Sequence, residues 1–315
     1  MHKNKSLRDA RRSKNDEFYT QLGDIERELR HYRKHFKDKI VFCNCDDPHV
    51  SNFFHYFSHN FEFLGLKKLI TTCYQNDQPD LFSKNDKDSA VYLEYYGDKN
   101  DNRVPDPKEI GIKQLEGNGD FRSEECIELL KQSDIVCTNP PFSLFKEYIA
   151  QLLEYDKKFL IIGNYNAVAY KEIFPLIKDN KMWLGVEPWG MTFSTPYGKE
   201  KFSRMTKWFT NLPHKKRNEE IILVKNHIGN EGDYPSYDNY DAIEVDKMAN
   251  IPKDYDGVMG VPVTFLVDYN PNQFEIIGLI AGNTRGLAGI KSKTNKDGPY
   301  INGKLKYNRI LVKRR

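Results

Sequence analysis

The sequence predicts an α/β fold in which a mainly parallel sheet is covered by helices on both faces. Short apolar runs alternate with amphipathic stretches through the first two-thirds of the chain, the pattern of strand and helix in turn. The 315 residues, 39% hydrophobic and 13% aromatic, suffice for a real core and argue against intrinsic disorder. No stretch approaches the apolar length that spans a bilayer.

Taken in order, residues 24–33 predict a helix with Asp24 as N-cap and Ile25, Leu29 and Tyr32 on one face. Residues 39–43 form the first predicted strand, and a helix opens at Ser51 after Asp46-Asp47-Pro48. The second strand is expected at 68–73 and the third at 109–115, after a long polar excursion. Ser123 starts the next helix, 134–138 is the fourth strand, and 143–155 is a helix. The fifth strand falls at 158–162, with a helix over 167–177. From about residue 226 the pattern changes to separated short strands with Gly and Pro, which predicts a smaller, different C-terminal region. Ligands of such sheets sit at the carboxyl ends of strands, so the segments after Cys43, Cys73, Leu115 and Thr138 are the candidates.

Net charge is only +3, but it is unevenly spread. Residues 1–40 carry 12 basic and 7 acidic side chains, 197–217 carry 7 and 1, and 285–315 carry 10 and 1. Acidic stretches at 75–102 (7 acidic, 3 basic) and 231–256 (8 acidic, 2 basic) oppose them, the latter the best candidate linker. The basic segments are interleaved with Tyr19, Tyr32, Phe202, Trp208, Phe209, Tyr300 and Tyr307, a composition suited to a nucleic-acid surface. Five cysteines are too few for a disulfide framework. Cys43-x-Cys45 near His49 lacks a second pair at zinc spacing, so no metal site is expected. The start of the chain has no signal-peptide core, and a cytoplasmic protein is expected.

Asn139-Pro140-Pro141-Phe142 directly follows the fourth predicted strand. An exocyclic amino group of a base is a poor nucleophile because its lone pair is delocalised into the ring. A side-chain carbonyl at Asn139 and the backbone carbonyl of Pro140, held by two consecutive fixed φ angles, can accept both N–H hydrogens and free that lone pair. Phe142 offers a face on which a base stacks. A rigid turn with a core Phe is the bland alternative.

These residues and their surroundings resemble the amino-methyltransferases, and more closely the EcoRI-type adenine-specific DNA methyltransferases, from about Asn15 to the end of the chain. Asp16-Glu17-Phe18-Tyr19-Thr20 looks like the family's Phe-Tyr-Thr-Pro cofactor motif, with Gln21 in place of Pro. Gly119-Asp120-Phe121 is similar to the Asp-Phe pair that holds the adenine of S-adenosylmethionine, and Trp208-Phe209-Thr210-Asn211-Leu212 to the motif that packs against a flipped base. The family's Asp-Pro-Phe-x-Gly-x-Gly reads here Asp47-Pro48-His49-Val50-Ser51-Asn52-Phe53, keeping Asp-Pro without the glycines. The second strand ends without the expected ribose-binding acid; either Asp77 fills in late or the loop contributes differently.

The resemblance implies a Rossmann-like sheet using S-adenosyl-L-methionine to methylate adenine N6 in double-stranded DNA. The expected catalytic residues are Asn139, Pro140, Pro141 and Phe142. The cofactor set is Phe18, Tyr19, Thr20, Asn44, Asp46, Asp47, Asp120, Phe121 and Asn139. The DNA and base set is Phe142, Trp208, Phe209, Lys215, Lys216 and Arg217. Residues 1–225 would form the catalytic domain and 226–315 a target-recognition region. No obligate protein partner is expected, and a cognate restriction endonuclease would be a genetic partner. The same tetrapeptide also serves cytosine N4, RNA bases or protein glutamine. A nuclease at Pro79-Asp80 and Asp106-Pro107-Lys108 is disfavoured because Pro107 would break the strand it needs, and a non-catalytic DNA-binding module because the tetrapeptide is intact.

Overall fold

The computed structural model describes residues 19–45, 51–72, 90–99, 105, 110–187, 190–194, 200–282 and 286–315. The chain divides into two compact units, Met1–Tyr165 with Glu187–Leu212, and Asn166–Val186 with Pro213–Arg315. Among the described residues no helix is long and apolar enough to cross a membrane.

In the first unit seven strands share one sheet: β1 (Ile40–Asn44), β2 (Lys68–Thr72), β3 (Val91–Tyr95), β4 (Gly111–Gln114), β5 (Ile135–Thr138), β6 (Lys158–Asn164) and β7 (Thr206–Thr210). Their order is β4-β3-β2-β1-β5-β6-β7. β2, β1, β5 and β6 are parallel to one another, whereas β3 pairs antiparallel with both β2 and β4, and β7 pairs antiparallel with β6. The parallel centre is buried, every residue of β2 and β5 included, as expected where helices cover both faces.

Two expectations about strands need correction. The third expected strand exists as β4, but it is an antiparallel edge whose four residues are all exposed. Val91–Tyr95, counted by charge as part of an acidic loop, is β3. Its one acid, Glu94, is buried between Lys68 and Lys113, with the Lys113 ammonium at 2.6 Å. Burial pushes the Glu94 carboxyl up, and the two ammonium groups bring it below the usual carboxylate range.

Four helices matter for the site: α1 (Leu22–Leu29), α2 (Asn52–His59), α3 (Glu124–Gln132) and α4 (Phe145–Glu154). Ser51 caps α2 by accepting from the Phe53 and Phe54 amides, and Ser123 caps α3 through the Cys126 amide. The N-cap of α1 is Gln21, not Asp24. Asp24 lies inside the first turn, where its carboxylate accepts from the Thr192 amide at 2.8 Å and pairs with Arg27.

One turn further along α1, fully buried Glu28 accepts from the Glu187 amide at 2.8 Å and the Tyr32 hydroxyl at 2.9 Å. Arg30 reaches the Glu187 carboxylate at 3.1 Å. This clasp holds the segment leading into Met191–Ser194, a strand that pairs on one side with Tyr19–Thr20 and on the other with Glu200–Ser203.

Trp208 and Phe209 are core residues, 1% and 0% exposed. Trp208 meets Phe53 edge-on at 5.9 Å between ring centroids, and Phe209 meets Phe145 at 5.0 Å. All five β7 residues are buried, so both rings pack in the core of the sheet.

The second unit carries β8 (Ile243–Glu244), β9 (Met259–Pro262), β10 (Phe274–Ile280) and β11 (Arg309–Arg314), in the order β8-β9-β11-β10. Buried Glu244 takes Arg309 at 2.5 and 3.0 Å and the Tyr237 hydroxyl. In sequence the second unit takes 166–186 and the chain from Pro213 onward. Helix Phe174–Lys178 packs on β10, Lys216 Nζ bonds the Val186 carbonyl, and Arg217 stacks 4.2 Å from the Trp183 ring centroid. The helix expected over 167–177 shortens to Phe174–Lys178 because Pro175 can sit only in a first turn.

Trp208→Ala is expected to lower stability by about 3–5 kcal/mol in urea melts, as core aromatics do. Glu28→Gln should hold the clasp, with its oxygen toward the Glu187 amide and its amide toward the Tyr32 hydroxyl. Glu28→Leu strands both partners, at about 1–3 kcal/mol each, and should lower the melting midpoint where Gln does not.

Candidate functional site

Strand order reverses between β1 and β5, and the crevice at the carboxyl ends of these strands is where an open α/β sheet takes its ligand. The register Phe42 to Val136 sets Asn44 level with Thr138, one residue before Asn139. Asn44 is 3% exposed, and its Oδ1 accepts from the Tyr148 hydroxyl of α4. Its Nδ2 is buried with no hydrogen-bond partner among the described residues.

Thr20 has the same character. Its carbonyl accepts from Asn52 Nδ2 at 2.7 Å, which ties the Tyr19–Thr20 strand to the start of α2. Its Oγ1 is also buried without a partner among the described residues. Buried polar atoms are costly when unsatisfied, so two of them on these two residues fit a polar ligand that completes the set.

Phe121 is buried and meets Tyr148 edge-on at 5.0 Å, and its carbonyl accepts from Gln151 Nε2 at 3.0 Å. Asp120 is engaged by its neighbour Arg122, at 2.9 Å to Nε and 2.6 Å to Nη2. That guanidinium holds the Asp120 carboxyl below the usual carboxylate range.

The tetrapeptide leaves β5 as expected. Asn139 is half-buried with its Oδ1 shielded from solvent, Pro140 is buried, and Pro141 and Phe142 are half-buried. Phe142 begins a 3₁₀ turn, Phe142–Leu144, closed by the Leu144 amide on the Pro141 carbonyl at 3.0 Å, and α4 follows at once. The segment is therefore short, rigid and continuous with the helix that carries Tyr148 and Gln151.

Thr20, Asn44, Phe121 and Asn139 all belong to this unit, and α4 holds two of them directly. Tyr148 and Gln151 were not singled out from the sequence. Their signal was two polar side chains three residues apart on the face of α4 that also buries Ile149 and Leu152. Phe18, Asp46 and Asp47 lie outside the described residues, as do His49, Asp77, Pro79-Asp80 and Asp106-Pro107-Lys108, and of Tyr19 only the backbone is described.

Of the expected DNA residues, Lys215, Lys216 and Arg217 belong to the second unit. Lys215 is exposed on the second unit. Lys216 pairs with Asp268 at 3.2 Å, and Arg217 lies over Trp183 and Tyr269 and bonds Asn180. Burial pushes the Arg217 guanidinium below its ordinary value. Lys216 and Arg217 are thus engaged in holding their own unit together, which weighs against their expected phosphate contacts.

The chain matches the family model described as adenine-specific methyltransferase EcoRI over residues 6–315. It is 48% identical to the Type II methyltransferase M.EcoRI of Escherichia coli, across 98% of this chain and 96% of that protein. Type II methyltransferases M.MgeORF184P of Mycoplasma genitalium and M.MpnI of Mycoplasma pneumoniae are 39% and 38% identical, each across 97% of both chains. No solved structure matches the chain. A match of this extent, on a sheet whose switch point presents Asn139-Pro140-Pro141-Phe142, means that the chain belongs to the EcoRI-type adenine-specific methyltransferase family.

Proposed function

We propose that this adenine-specific DNA methyltransferase uses S-adenosyl-L-methionine to methylate adenine N6 in duplex DNA, with Asn139 and Pro140 as the groups that activate the amine. The observation that carries the reading is the rigid exit of Asn139-Pro140-Pro141-Phe142 from β5, one residue past the level of Asn44. When bound, the cofactor supplies an electrophilic methyl carbon. Thr20, Asn44 and Phe121 would hold it, because two of them keep buried polar atoms for a ligand and the third offers an aromatic edge. Asp120 reaches such a ligand only by sharing its carboxylate with Arg122.

The target adenine lies inside a duplex and must leave the stack, at a few kcal/mol. Phe142 replaces part of the lost stacking. The Asn139 side-chain carbonyl and the Pro140 backbone carbonyl accept the two N6 hydrogens, which favours tetrahedral character at nitrogen. Shielding of Asn139 Oδ1 from water strengthens that bond in the low-dielectric site. As the nitrogen bonded the methyl carbon, the carbon–sulfur bond of the sulfonium would break and leave a neutral thioether, and the amine, then cationic, would return to neutrality by giving one proton to solvent. The enzyme would act in the cytoplasm as the modification partner of an endonuclease or alone, with no lasting protein partner.

Tritium transfer from labelled S-adenosylmethionine tests the reading: label in DNA supports it, and label only in RNA or protein sinks it. Asn139→Ala should lower turnover by about 100- to 1000-fold, as loss of one preorganised hydrogen-bonding group does elsewhere, with cofactor affinity nearly unchanged. Tyr148→Phe removes the hydroxyl that orients Asn44. It should raise the KM for the cofactor several-fold at nearly constant kcat in steady-state assays.

A further inference from the structure

The buried positions of Trp208 and Phe209 and the engaged Lys216 and Arg217 leave open which part of the first unit meets the nucleic acid. The turn between Glu200–Ser203 and β7 offers an answer. Register places it: β1, β5 and β6 are parallel, and antiparallel β7 begins with Thr206 opposite Asn164, the last residue of β6. The residues just before β7 therefore lie at the carboxyl edge of the sheet, the edge that carries Asn44 and Asn139.

This turn has the composition of a nucleic-acid contact. Lys201 and Arg204 are exposed, and so are two large apolar side chains, Phe202 at 58% and Met205 at 42%. Residues 200–205 carry Lys201 and Arg204 against the single acid Glu200. Exposed apolar side chains between cations at the mouth of a catalytic crevice suit a ligand with phosphates outside and flat apolar faces inside.

The turn is also fixed. Gly190 has φ +44°, and a Cβ there would fall 2.4 Å from the Phe202 ring and 2.9 Å from the Ser203 carbonyl, so the ring rests against bare backbone. Thr206 donates to Ser203 Oγ at 2.8 Å, and the Tyr165 amide donates to the Met205 carbonyl.

We propose that residues 201–205 dock the duplex beside the target adenine, Lys201 and Arg204 at phosphates, Phe202 and Met205 against the sugars and base edges of the opened strand. The inference rests on the DNA reading above and names where that DNA lies. Wild-type transfer of tritium to DNA is the prior condition, and its failure would overturn the DNA reading itself.

With that transfer established, p-benzoylphenylalanine is placed at Phe202 and, as a control, at Ile112, exposed on edge strand β4 at the opposite flank of the sheet. Irradiation with unmethylated duplex DNA should crosslink position 202 and not 112. Lys201→Gln with Arg204→Gln should weaken duplex binding and flatten the slope of log affinity against log salt by about 2, near 0.9 per phosphate. Cofactor affinity and melting temperature should stay unchanged, which separates lost docking from lost folding. Absence of a DNA crosslink at 202, equal crosslinking at 112, a crosslink to a second copy of the chain instead, or an unchanged salt slope in the folded double variant would each overturn the proposal.

Discussion

The hydrogen bond from the Tyr148 hydroxyl to Asn44 Oδ1 joins the two halves of the active crevice. Asn44 ends β1 and Tyr148 sits one turn into the helix that follows Asn139-Pro140-Pro141-Phe142. Two parallel strands present their carboxyl ends side by side, but the segments leaving them diverge unless a cross-tie fixes them. The cross-tie works because α4 begins only three residues beyond Phe142, too soon for the tetrapeptide to move independently. Gln151, three residues on, extends the same tie to the Phe121 carbonyl. One helical face therefore sets the distance between the catalytic segment and the residues offered to the cofactor.

A second constraint reaches the crevice from the other side. Asp24 and Glu28 are acids on the buried face of α1, an arrangement that a purely amphipathic reading would reject. They are tolerated because each carboxylate receives a backbone amide, Asp24 that of Thr192 within the strand Met191–Ser194 and Glu28 that of Glu187 ahead of it. The acids thus determine where that strand lies, and through its pairing they determine where Tyr19–Thr20 lies. Thr20 is then bonded to Asn52, so the strand at one end of the crevice is indexed to both α1 and α2.

Much of this was legible in the residues, and the failures have physical causes. The buried parallel strands were visible because strands covered on both faces are continuous apolar runs, and Ser51 and Ser123 announced two helix starts through their side-chain chemistry. The tetrapeptide was legible because its function needs a rigid, local segment. β3 was missed because its charge was counted with its neighbours, although Glu94 is neutralised by Lys68 and Lys113 from adjoining strands. In sequence Asp24 looks like a cap because a cap and a first-turn acid look alike, and only the partner, Thr192 far along the chain, distinguishes them. Tyr148 and Gln151 were illegible for the same reason: a polar residue on a helix face declares its role only when the element it meets is known.

Aromatic and basic residues near position 205 show the limit most sharply. Trp208 and Phe209 stand in a strand, where successive side chains face opposite sides of the sheet, and burial on both sides hides both rings in the core. Phe202 stands six residues earlier, in a strand paired only with Met191–Ser194 among the described residues, and there a ring can remain exposed. Arg217 is as basic as Arg204, yet it is spent on Trp183, Tyr269 and Asn180. A summed charge treats these residues as equals. Only the pairing of strands and the partners of each cation separate charge that holds the protein together from charge offered to a polyanion.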